Sequence, residues 1–123
     1  MGRIKTEGDR VNLKAGGLLP ITGGARVLAM RHGSQTYSTH DRLDAARAQK
    51  LANERDLTNV MAAHETLMEF TLRQQLADIK AGVPPSTKVE TANLSKPDYA
   101  RLRDALRQVE VMNTIIGDPQ TFG

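Results

Sequence analysis

Lys14-Ala15-Gly16-Gly17 stands just before an apolar, helix-periodic stretch and has the composition of an anion cradle. Glycines at a helix start leave backbone N–H groups free to face a phosphate, and Lys14 adds positive charge. The spacing is neither a P-loop nor G-x-G-x-x-G, so a flexible turn is the simpler reading from spacing alone. Arg26, Arg31, Arg42 and Arg73 form a second grouping. Guanidinium groups facing one cleft would clamp a phosphate or carboxylate through paired donors. On a solvated helix face the same residues would pair with carboxylates one turn away. Arg73 with Gln75, beside Glu69, also has the makings of a buried polar network.

Two further groupings fail as reactive centres. Nucleotidyl transfer needs a Gly-Ser turn and carboxylates that alternate on a strand to hold two metal ions. Gly33-Ser34 precedes Asp41 and Asp44, but these stand three apart in a helical segment, as a cap and a surface aspartate would. His32, His40 and His64 lack the spacing of metal ligands, and His64 reads as a hydrogen-bonded core histidine. No catalytic centre and no metal site is expected in this chain.

The elements that must position these residues are helices. A first helix is expected from about Leu18 to His32, with Pro20 in its first turn and an Ile21, Ala25, Leu28, Ala29 stripe widened by Val27 and Met30. Gly23-Gly24 weakens it unless close packing demands them. A second begins at Ser38 or Thr39, with Asp41 completing a capping box and Leu43, Ala46 and Leu51 inward. Asn53 and Asp56 open the longest helix, which runs to about Lys80 and stops at Gly82. Its inward stripe reads Leu57, Val60, Met61, His64, Leu67, Met68, Leu72, Gln75, Leu76 and Ile79. Prolines 84 and 85 keep residues 83–94 as a loop. Ser95 caps a last helix that ends at Gly117, with Tyr99, Leu102, Leu106, Val109, Met112 and Ile116 inward. Arg3–Thr6 and Arg10–Leu13 alternate around Glu7-Gly8-Asp9 as a β-hairpin would. The expected fold is all-α: a four-helix bundle-like domain, residues 18–117, behind an extended or hairpin segment, 1–17, and before a flexible tail, 118–123.

The chain has 123 residues, a one-domain length. Without cysteine it has no disulfide, thiolate metal site or cysteine catalysis, which fits a cytoplasmic setting. No apolar run is long enough to span a bilayer. A net charge of +3 permits anionic ligands without requiring nucleic acid, and two Tyr, two Phe and no Trp give single strands few stacking platforms. A helix-turn-helix reading ranks last, because the longest helix is acidic at its start.

Four stretches in order, VNLKAGGLLPITGGARVLAMRHG, STHDRLDAA, LMEFTLRQQLADIKAG and NLSKPDYARLRDALRQVE, carry a resemblance. Together they resemble a bacterial family of nucleotidyltransferase substrate-binding domains over about residues 10–112. Asn12, Leu13, Lys14, Gly16, Gly17, Leu18, Pro20 and Ile21 match its (D/N)LK-x-GGL-x-PI hallmark. Ala25, Arg26, Leu28 and Ala29 match A-R-x-L-A. Thr39, Arg42 and Leu43 match T-x-x-RL, and Leu72, Arg73, Gln75 and Leu76 match LR-x-QL. The resemblance implies a helical domain that follows a nucleotidyltransferase domain in the same polypeptide. CBS or cyclic-nucleotide-binding modules of signalling proteins would often lie further upstream. Nucleotide triphosphate and Mg would then belong to that missing catalytic domain, with no cofactor on this chain. Lys14, Arg26, Arg42 and Arg73 would contact an anionic nucleotide or protein substrate, with Gly16 and Gly17 as backbone donors. Two positions depart from the pattern: Gln74 stands where the family often has His, and Pro85-Ser86-Thr87-Lys88 where it tends to read P-x-N-Y. The rival expectation is a helical dimerisation or interaction module without a ligand cleft, resting on the long apolar, Met-bearing stripe of the longest helix.

Overall fold

The computed structural model describes residue 4, residue 6 and residues 10–117. Strand β1 (Arg10–Asn12) leads through a π-helical turn (Lys14–Leu18) directly into α1 (Leu19–Arg31). Then follow α2 (Thr39–Ala48), α3 (Glu54–Lys80), β2 (Lys88–Glu90) and α4 (Lys96–Gly117). The four-helix, mostly helical architecture is the one expected.

Local signals set the helix ends. The Ser38 hydroxyl accepts the Asp41 N–H, the Asn53 amide oxygen accepts the Asp56 N–H, and the Ser95 hydroxyl accepts the Asp98 N–H, so each cap satisfies an otherwise orphaned first-turn donor. Three helices close with the same double turn. Ser34 N–H returns to the Ala29 carbonyl, Leu51 to Ala46, and Val83 to Asp78, each a 6→1 bond past a residue of positive φ. Glycine fills that position at Gly33 and Gly82, and Lys50 fills it after α2.

Leu13, Ile21, Leu28, Leu43, Leu57, Val60, Leu67, Phe70, Leu102 and Met112 make the fully buried core between the helices. α3 and α4 run antiparallel, since Arg73 meets Asp98 while Glu69 meets Arg101 further along. Gly24 lets α1 approach α4: a β-carbon there would lie 2.6 Å from Met112 Cγ. Close packing therefore explains Gly24 but not Gly23, which has open space around it.

Four expectations are corrected. β1 pairs with β2, antiparallel, with Val11 opposite Val89, so residues 88–90 are strand and not loop. Residues 3 and 5 of the expected hairpin's other arm and its turn at 7–9 lie outside the described residues, as does the tail from 118. Residues 14–17 are helical, because the turn at Lys14–Leu18 continues into α1 without a break. Met30 is exposed. The second half of α3 turns a different face inward than its apolar spacing indicates: Leu67, Phe70, Thr71 and Asp78 are buried, while Met68, Leu72, Leu76 and Ile79 face outward.

Candidate functional site

The π-helical turn grows out of β1. Leu13 is fully buried and its N–H donates to the Thr87 carbonyl, and the Asn12 side-chain oxygen accepts the Ala15 N–H at 3.1 Å. Lys14 and Gly16 are exposed, and Lys14 forms no ion pair among the described residues. Gly17 is buried: a β-carbon there would stand 2.7 Å from Leu67 Cδ1 and 3.3 Å from Leu106 Cδ2. One glycine is thus needed for packing, and the other leaves its backbone open to solvent. Two of the amides at this helix start, those of Leu13 and Ala15, are already paired outside the helical ladder.

The arginines part company. Arg26 is exposed on α1 and has no hydrogen-bond or ion-pair partner among the described residues. Arg42 donates through Nε to the Thr36 carbonyl at 3.1 Å, and Arg31 donates to the Ile116 carbonyl at 2.6 Å. The Thr22 and Thr39 hydroxyls, one turn before Arg26 and Arg42, meet at 3.4 Å. Arg73 instead lies in an exposed cluster. It reaches Glu69 at 3.3 Å and Asp98 at 3.0 Å, and stacks 4.9 Å from the Phe70 ring centroid. Arg101 shares both carboxylates and covers the same ring. The Arg101 hydrogen bond holds Glu69 below its ordinary pKa, the Arg73 hydrogen bond does the same for Asp98, and Glu69 in turn raises Arg101. Lys14, Gly16 and Gly17 share one turn, whereas no two of Lys14, Arg26, Arg42 and Arg73 share a hydrogen-bond or ion-pair partner.

The buried polar network lies one turn further along α3 and involves Gln74 rather than Gln75. Asp78 is only 3% exposed. Its carboxylate accepts Gln74 Nε2 and the Ser86 N–H, each at 2.9 Å, with Arg10 Nη2 at 3.9 Å. Gln74 Oε1 accepts the Glu90 N–H at 3.0 Å, and Arg10 bridges to Glu90 and to the Lys88 carbonyl. Gln74, one of the two departures from the expected pattern, and the backbone of Ser86, in the stretch that holds the other, therefore meet on one carboxylate. Asp78 reads as solvent-facing in any hydropathy pattern. Its spacing from Leu67, Phe70, Thr71 and Gln74 was the available signal.

Histidine and carboxylate chemistry is sparse. Asp41 serves its cap, Asp44 pairs with Arg47, and Gly33 closes α1. His64 is half-buried without a hydrogen-bond partner among the described residues, contrary to expectation. Burial holds its pKa down, with Glu65 opposing and His40 adding to the depression. No group of three His, Cys, Asp or Glu among the described residues could hold a metal ion. A 530 Å³ groove between α3 and α4 is lined by Asn59, Thr66, Arg101, Arg107 and Gln108 over a floor of alanines. A smaller cleft of 170 Å³ lies between α3 and β2, where Arg73, Gln74, Glu90 and Asn93 face it.

The family model described as "Putative nucleotidyltransferase substrate binding domain" matches residues 1–118. The chain belongs to this family. No curated protein and no solved structure matches the chain. Membership gives the π-helical turn and the arginines a context, since the family's name implies association with a nucleotidyltransferase domain. No helix of the described residues is long and apolar enough to cross a membrane.

Proposed function

We propose that this domain forms the substrate-facing wall of a nucleotidyl-transfer cleft whose reactive wall is a nucleotidyltransferase domain of the same polypeptide. Nucleotide triphosphate and Mg would sit on that other domain, and this one would position the anionic substrate and offset its charge. The family match over residues 1–118 carries the reading. Lys14 and Arg26, exposed and unpaired among the described residues, are the cations best placed to take an anion, with the exposed Gly16 as backbone donor and the buried Gly17 serving packing instead. Arg42 has its terminal nitrogens to spare. Arg73 takes part only by releasing Glu69 or Asp98. The parent protein would be a bacterial, cytoplasmic signalling protein.

Calorimetry on the two-domain protein, with a non-hydrolysable nucleoside triphosphate as titrant, tests the assignment. Lys14→Ala and Arg26→Ala should each weaken binding about tenfold, the loss of one charge-assisted contact, and Arg73→Ala by less. Unchanged affinity in all three variants would reject the basic set.

A further inference from the structure

We infer that the outward aliphatic face of α3 is where two copies of this chain pair. Leu72, Leu76 and Ile79 are 54%, 62% and 60% exposed, with Met68 before them and Val83 just after the helix stop also exposed. Gln75 is the polar residue set among them, and no charge interrupts the stripe. The core has no use for these side chains, because the same helix already buries Leu67, Phe70, Thr71 and Asp78 against its neighbours.

Area and register favour a second copy. Half-exposed aliphatic side chains each offer on the order of 100 Å², so the stripe supplies roughly 500 Å². A stable interface buries about 800 Å² per partner, a little over half of it apolar. The stripe therefore meets the apolar share of a standard dimer. Leu72, Leu76 and Ile79 follow one another along one helical face, and Val83 lies beyond the stop at Gly82. A two-fold axis crossing α3 between residues 77 and 78 then stacks Leu76 on Ile79 of the second copy in antiparallel fashion, with Leu72 lying toward the end of the partner's helix. The rim tolerates this. Arg73 is already neutralised by Glu69 and Asp98, so the Lys80 it meets across the axis is opposed by little net charge.

Sedimentation equilibrium of the 123-residue chain tests the pairing. The wild type should dimerise reversibly in the micromolar range, and Leu76→Glu with Ile79→Glu should weaken association about a hundredfold or more. These side chains face solvent in the single copy, so helical circular dichroism should be unchanged. Met30→Glu, on an exposed apolar residue of α1, should leave the dimer intact. The chain lacks cysteine, so introduced ones report register cleanly. A mixture of Leu76→Cys and Ile79→Cys chains should cross-link to each other faster than either does to itself. A wild type that stays monomeric near millimolar concentration, or a Leu76→Glu, Ile79→Glu chain that dimerises as well as wild type, would overturn the inference. Faster self-linking of Leu76→Cys would overturn the antiparallel register. None of these outcomes depends on the substrate-binding role.

Discussion

Two ionic assemblies sit about one turn apart on α3 and make opposite use of charge. The Arg73–Glu69–Asp98–Arg101 cluster is exposed, joins only α3 to α4, and rests in water that competes for every bond. The Asp78 assembly is buried and gathers β1, β2, the segment before β2 and α3 around one carboxylate. Surface pairs contribute little, because the solvent they replace is nearly as good a partner. A buried carboxylate costs much to desolvate, so removing it leaves its donors stranded without solvent. The number of ion pairs is therefore a poor guide to how much each assembly stabilises the fold.

Substitutions can break that contrast, beginning with the largest effect. Asp78→Ala should cost about 3 kcal/mol, read by urea denaturation, because the Ser86 N–H and the Gln74 amide lose their acceptor. Gln74→Leu should cost about 1–2 kcal/mol, since it unpairs the Glu90 N–H and one Asp78 oxygen. Arg101→Ala should leave the denaturation midpoint close to wild type. If Arg101→Ala proved as damaging as Asp78→Ala, exposure would not be what separates the two assemblies. The smallest effect is in pH. Glu69 and Asp98 are depressed in the folded state, so their contribution is complete above the unfolded carboxylate range near about pH 4. It is lost as the pH falls through their lower folded values. Thermal unfolding followed down this range should fall less steeply for Arg101→Ala than for wild type.

The same contrast marks what was legible in the sequence. Caps at Ser38, Asn53 and Ser95 and stops at Gly33 and Gly82 depend on neighbours a few residues away, and the sequence states them directly. The β1–β2 pairing joins residues about eighty apart, beyond the reach of local pattern. In the second half of α3, periodicity finds an aliphatic stripe but not which face the fold buries. The core chose Phe70 and Thr71 with a polar Gln74–Asp78 seam, and left the leucines outside. The basic set could be named from residue type and resemblance. That Arg73 is already engaged by Glu69 and Asp98, while Lys14 and Arg26 are not, required coordinates.

The corner between α2 and α3 has one more consequence. Lys50 takes a left-handed turn at φ 57°, where the corresponding turns after α1 and α3 have glycine. Its β-carbon crowds the backbone there at a cost of about 1 kcal/mol. Glycine would relieve that crowding but add freedom to the unfolded chain of nearly equal weight. Of the three corners, this is the one that evolution or an engineer could rewrite at almost no net change in stability, so the identity of the residue there is open to selection for something other than folding.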